Sequence, residues 1–175
     1  MKRLLISAAV LVLSVGLLVP EPADAQTTVK LGPRLGIPVG DVEDIGGNLF
    51  LGVDARFQTD ALPVVLNPSI DFYLMDEVEG TSVDQSVFTI DLNALYEFGV
   101  DNEVFTPYAG GGIGITRVST DENLPFREDE TDVGLNVVGG ARFPLESVEP
   151  FVQLNALVGG DYDRLGITGG LLISL

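Results

Sequence analysis

From Val87 to Phe98 the chain alternates without a break: Phe88, Ile90, Leu92, Ala94, Tyr96 and Phe98 share one face, and Val87, Thr89, Asp91, Asn93, Leu95 and Glu97 share the other. Period-two alternation of this length specifies a half-buried strand, because successive side chains of extended backbone point to opposite sides. The run also reaches the roughly 9–11 residues with which a tilted strand crosses a bilayer. One face is apolar and the other acidic or polar, so the ribbon divides two environments. Which of them lies inside decides the architecture.

The pattern recurs along the chain. With clusters of Gly, Pro, Asp, Asn and Ser read as turns, strand-like segments fall at about residues 29–40, 48–58, 62–75, 86–98, 105–119, 131–144, 149–160 and 163–175. Eight strands and no convincing helix make the chain all-β. Connections after the second, fourth and sixth segments (59–61, 99–104, 145–147) are compact. Those after the first, third and fifth (41–47, 76–85, 120–130) are mostly longer and acidic, carrying Asp41, Glu43, Asp44, Asp76, Glu77, Glu79, Asp84, Asp121, Glu122, Glu128, Asp129 and Glu130.

The ends place the chain in an export pathway. Lys2 and Arg3 precede an apolar stretch from Leu4 to Val19 and a small-residue site at Ala23-Asp24-Ala25, the layout of a secretory signal peptide. Residues 1–25 are therefore expected to be removed, leaving 26–175 as one domain that begins at Gln26. The stretch is short for a spanning helix. Removal takes Lys2, Arg3, Glu21 and Asp24, so 7 of 9 basic and 24 of 26 acidic side chains remain and the net charge stays at −17. Such a chain does not neutralise nucleic-acid phosphates. It has no Cys, so disulfides do not stabilise it outside the cytoplasm.

Two architectures fit eight alternating strands, and they exchange solvents. A soluble barrel hides the apolar face and wets the polar one; a membrane barrel turns the apolar band to lipid and packs the polar face inward. The aromatic residues decide between them. With odd strands running outward from the periplasm, Phe57, Tyr96, Phe98, Phe105 and Phe143 lie on the apolar face at the periplasmic end, and Phe72 and Phe88 lie at the other end. The positions between are aliphatic or small. Rings flanking an aliphatic band suit a surface with two lipid–water interfaces.

The polar face points the same way. Five of the seven basic residues of the mature chain, Lys30, Arg34, Arg56, Arg142 and Arg164, fall on it. Arg34, Asp54, Asp71 and Asp91 lie mid-strand or above, and Lys30, Arg56, Glu97 and Arg142 lie toward the periplasmic ends. Closing the strands brings these eight into an interior charge network, with Asp91 and Glu97 expected to meet Arg34, Arg56 and Arg142. Buried charges require such pairing. Gly110, Gly112 and Gly114 leave interior room that Tyr73, Tyr108 or Phe50 can fill. An eight-stranded barrel holds little more than its own side chains, so the interior is expected to be plugged.

Three stretches carry a family resemblance: Pro107-Tyr108-Ala109-Gly110-Gly111-Gly112-Ile113-Gly114, Pro150-Phe151-Val152-Gln153-Leu154-Asn155, and the final Thr168-Gly169-Gly170-Leu171-Leu172-Ile173-Ser174-Leu175. With them the chain resembles the small outer-membrane β-barrel family, the OmpA-like transmembrane domain and its porin-family relatives. The resemblance implies an eight-stranded antiparallel up-and-down transmembrane β-barrel in a Gram-negative outer membrane. It also implies lipid as a partner and recognition of the last strand by the barrel-assembly machinery, although that strand ends on Leu175 rather than an aromatic residue. A monomer is expected.

Catalysis is not expected. The barrel enzymes of such a membrane, its lipid acyltransferases, deacylases and omptin-type proteases, resemble one another in needing a catalytic His, and the chain has no His. It shows no nucleotide loop, no zinc-ligand spacing and no cofactor motif. The expected role is structural or surface-interacting, with acidic extracellular loops whose carboxylates could take divalent cations but match no EF-hand. A narrow channel for ions or small solutes and, after it, a soluble periplasmic ligand-binding barrel are the alternatives.

Overall fold

In the computed structural model, residues 27–40, 47–75, 85–101, 104–120, 130–159 and 164–175 are described. They form β1 (Thr27–Gly40), β2 (Gly47–Thr59), β3 (Val65–Met75), β4 (Gln85–Glu97), β5 (Thr106–Thr120), β6 (Glu130–Arg142), β7 (Glu149–Val158) and β8 (Arg164–Ser174). The strands pair antiparallel in sequence order, and β1 closes on β8 into a barrel. No helix occurs among the described residues. Residues 1–26, with the expected signal peptide, and the acidic segments 41–46, 76–84 and 121–129 lie outside the description, as does the side chain of Glu130.

Two strand ends differ from the alternation, each for a local reason. Leu62 and Val64 continue the apolar pattern of β3, yet the Leu62 N–H donates to the Thr59 carbonyl at 3.1 Å and closes a turn. Pro63 follows without a donor, so ladder pairing begins only at Val65. β7 stops at Val158 because Gly159 takes φ = +83°, a left-handed backbone that glycine adopts freely. At the end of the barrel where β1 begins, the turns are short: Phe98 N–H to Pro107 carbonyl (2.9 Å), Phe143 N–H to Pro150 carbonyl (2.8 Å) and Leu145 N–H to Val148 carbonyl (3.2 Å). This is the lower end of the barrel.

The polarity of the barrel is inverted. On β1, Leu35 is 56% exposed and its neighbour Arg34 is 2% exposed; on β6, Leu135 is 62% and Asn136 is 3% exposed. The same contrast runs around the wall: Leu51, Val53, Leu92, Ile113, Val133, Leu154 and Ile167 face out, while Asp54, Asn67, Asp71, Asp91, Gln153 and Arg164 are buried. An apolar belt of this extent is far larger than the patches a water-soluble monomer exposes. It is the surface a bilayer solvates, and closure leaves no unpaired sheet edge in it.

Candidate functional site: the barrel interior

Two apolar layers and two sets of charges fill the interior. The upper layer is Phe50, Tyr73 and Val87 with Val118 against them. These positions lie on one row, since Phe50 pairs with Tyr73 and Tyr73 with Val87. The lower layer is Val65, Leu95, Tyr108 and Val138: Val65 pairs with Leu95, Gly110 stands between Leu95 and Val138, and Tyr108 lies one inward position lower on β5. The Phe50 and Tyr73 rings meet at 5.1 Å. All these side chains have the parity of the polar face, so the inward face is mixed rather than uniformly polar.

Between the layers lie three arginines and three aspartates, each at most 2% exposed. Arg34 donates from Nη2 to Asp71 Oδ2 at 2.9 Å and from Nη1 to Asp54 Oδ2 at 3.3 Å, joining β1, β2 and β3. Asp54 also accepts from Arg56 Nε at 3.2 Å and from Asn67 Nδ2 at 3.0 Å. Arg56 is clamped between two rings, 4.6 Å from the Tyr108 centroid and 4.7 Å from that of Phe151. Its Nη2 donates to the Tyr108 hydroxyl at 3.0 Å, which donates in turn to Gln153 Oε1 at 3.1 Å. A guanidinium held by a carboxylate and two ring faces is both paired and desolvated, and its apolar neighbours gain a cation–π contact.

Asp91 is not part of that group. Arg164, which the expected network of eight residues omitted, reaches across the lumen from β8 and donates from Nη2 to Asp91 Oδ1 at 2.7 Å, with Nη1 3.4 Å from Thr116 Oγ1. The expected pairing of Asp91 with Arg34 or Arg56 is therefore corrected. Alternation fixes the face of a residue but not which residue stands opposite it across the lumen; β4 and β8 are opposite walls.

The lower mouth holds the second set. Arg142 donates from Nε and Nη2 to the two oxygens of Glu97 at 2.7 and 2.9 Å, a bidentate pair. Its Nη1 donates to Glu149 Oε2 at 3.1 Å, and Glu149 Oε1 accepts from Lys30 Nζ at 2.6 Å. Glu149 was also missing from the expected network. Its parity with Phe151, Gln153 and Asn155 marks it as inward, but its place at the lip of β7, before Pro150, reads equally as a turn residue. The chain Lys30, Glu149, Arg142, Glu97 thus spans β1, β7, β6 and β4. Among the interior charges of both sets, five cations meet five carboxylates.

The aromatic fillers do not sit where the β5 glycines suggested. A Cβ on Gly36 would strike the Phe50 ring, one on Gly140 the Tyr108 ring and one on Gly170 the Phe151 ring. Gly112 and Gly114 instead leave room for Asn93, Asp91 and Leu157. Large and small residues are matched across the lumen, as close packing demands.

Outside, the seven expected interface aromatics form two groups. Phe72 and Phe88 pair at 5.2 Å near the upper end. Tyr96 and Phe98 pair at 5.1 Å, and Phe105 and Phe143 at 6.4 Å, near the lower end. Phe57 also lies low on the wall, in register with Val29 and Leu66. Among the described residues no group of three or more His, Cys, Asp or Glu side chains is placed to hold a metal ion.

Known structures share this fold. Neisserial surface protein A superposes with a TM-score of 0.62 at 15% identity, over 86% of this chain and 98% of that one. The N-terminal β-barrel domain of Pseudomonas aeruginosa OprF gives 0.63 at 18% identity, over 87% and 100%. Ail, the attachment invasion locus protein of Yersinia pestis, gives 0.59 at 15% identity, over 85% and 97%. At these identities the likeness is one of fold. No curated protein sequence matches the chain. A family profile, that of the outer membrane protein β-barrel domain, matches residues 6–171. The chain belongs to that family of outer-membrane β-barrels.

Proposed function

We propose that this protein is a non-enzymatic integral outer-membrane barrel, exported through residues 1–25, whose sealed interior holds the wall rigid while its acidic loops form the outward surface. The observation that carries the reading is the filled lumen: two apolar layers enclose the buried charges, and each charge has a partner. An ion path needs a continuous wetted bore, and Arg56 packed between Tyr108 and Phe151 stands across it. The segments 41–46, 76–84 and 121–129 join β1 to β2, β3 to β4 and β5 to β6. In an up-and-down barrel they share one end, opposite the short turns. Their acidity, with five of the mature chain's basic residues committed inside, suits cationic or cation-bridged neighbours and not polyanions.

The proposal also takes the protein as a monomer inserted through recognition of its last strand. Planar-bilayer recording of the purified barrel tests the central part. A silent bilayer is expected; steady, reproducible open levels would favour the narrow-channel alternative. Fractionation completes the test: outer-membrane recovery, heat-modifiable gel migration and an N-terminus at Gln26 are expected. Recovery as a detergent-free soluble monomer would overturn it.

A further inference from the structure

The ladder that closes the barrel is interrupted. β1 and β8 pair at Lys30 with Ser174 and Leu31 with Ile173, then resume at Arg34 with Gly170, and Gly32 and Pro33 have no ladder partner in β8. The phase is set by the Leu175 N–H, which donates to the Val29 carbonyl at 2.9 Å. In an antiparallel pair the backbone groups of every second residue face the same neighbour, so Val29, Leu31, Pro33 and Leu35 address β8. Pro33 has no N–H to give, and the Leu171 carbonyl opposite it loses its donor. A Cβ on Gly32 would overlap that carbonyl oxygen; the bare glycine lets the strands stay close across the gap.

The same defect occurs in β3 and is repaired there. Pro68 stands opposite Ala55, and the β2–β3 ladder passes from Asp54 with Ser69 to Phe57 with Leu66. The Asn67 side chain donates Nδ2–H to the Ala55 carbonyl at 2.9 Å and replaces the missing bond. Around Pro33 the adjoining side chains are Leu31, Gly32, Leu171, Leu172 and Ile173, which carry no donor, and Arg34 is engaged with Asp54 and Asp71. Leu31, Leu35, Leu171 and Ile173 are exposed on the apolar wall, where no water serves a bare carbonyl. Below the gap, the 2.6 Å ion pair of Lys30 and Glu149 reaches from β1 to β7 and bridges β8 from inside.

We propose that the β1–β8 seam at Gly32 and Pro33 is a built-in weak joint, where the closing strands part locally before any other strand pair, and that Lys30 with Glu149 is the clasp limiting that opening. Local openings draw on the least bonded elements of a fold, and here the missing bond is fixed by sequence. Hydrogen exchange followed by NMR on the folded protein in detergent micelles tests it, comparing Leu35 and Gly169 at the seam with Leu92 and Ile113 on β4 and β5. The seam amides are expected to exchange about tenfold faster or more, the scale of one missing hydrogen bond. Pro33→Ala should slow them by a similar factor, and Lys30→Gln should speed them while leaving Leu92 and Ile113 unchanged. Asn67→Leu should add a second weak place at Val53 and Ile70 while the seam at Pro33 exchanges as before. Equal protection at the two places in the unaltered protein, which needs no variant to fold, would overturn the proposal. So would a folded Pro33→Ala protein whose seam exchanges as before.

Discussion

Replacing Arg164 by Met leaves the Asp91 carboxylate in the middle of the barrel without its cation. The pair is short, 2.7 Å from Nη2 to Oδ1, with side-chain exposures of 1% and 2%, so solvent contributes little to either charge. At an effective dielectric constant of about 20, unit charges about 4 Å apart attract by roughly 4 kcal/mol, and removing one partner of a buried pair typically costs about 3–5 kcal/mol. Arg164→Met should therefore lower unfolding stability by that amount. Asp91→Leu combined with Arg164→Met removes both charges and should recover most of the loss, because the desolvation of each ion disappears with it. Urea unfolding in lipid vesicles, read as the fraction of heat-modifiable folded band and by far-UV circular dichroism, gives both values; the chain has no Trp to report. A loss below about 1 kcal/mol for Arg164→Met, the size expected of a solvated surface pair, would refute the reasoning, since Asp91 would then be in contact with water and the lumen open.

Truncating the clamp on Arg56, with Tyr108→Ala and Phe151→Ala together, should convert a silent barrel into one with measurable conductance in planar bilayers. Each truncation should also destabilise by roughly 3–5 kcal/mol, as large-to-small changes at buried rings do. Arg142→Gln acts on groups that are partly exposed, 15% for Arg142 and 18% for Glu97. It should cost less than Arg164→Met, and its effect should shrink as salt is raised, which the same unfolding assay at two ionic strengths checks.

Much of the fold was legible because strand alternation has one consequence per residue. The alternation from Phe88 to Phe98 sets the face of every side chain in β4, and the aromatic residues at the ends of several segments choose the solvent order. Which residues meet across the lumen was less legible. Arg164 and Asp91 lie 73 positions apart in the sequence on opposite walls, and only the closed register brings them together. Glu149 carried the right parity but stood at a strand lip, where parity and turn character give opposite readings. Tyr108 was legible as an inward aromatic, whereas Phe151, which shares its parity with Gln153 and Asn155, was not singled out, and their joint hold on Arg56 depends on the shear of the closed sheet. That Pro33 breaks a ladder, that Asn67 repairs the counterpart at Pro68 and that no described side chain does so at Pro33 emerge only from the register and the hydrogen bonds.

The central claim is that the apolar wall faces lipid and the polar face is the packed interior. Leu92 tests it most directly, because it lies midway between Phe88 and Tyr96 on the outward face of β4 and is 48% exposed. Leu92→Arg, measured against Leu92→Ala by urea unfolding in vesicles, should cost about 2–4 kcal/mol, the penalty for an arginine on the lipid face near the bilayer midplane. A change within about 0.5 kcal/mol, as at an ordinary water-exposed position, would contradict the account.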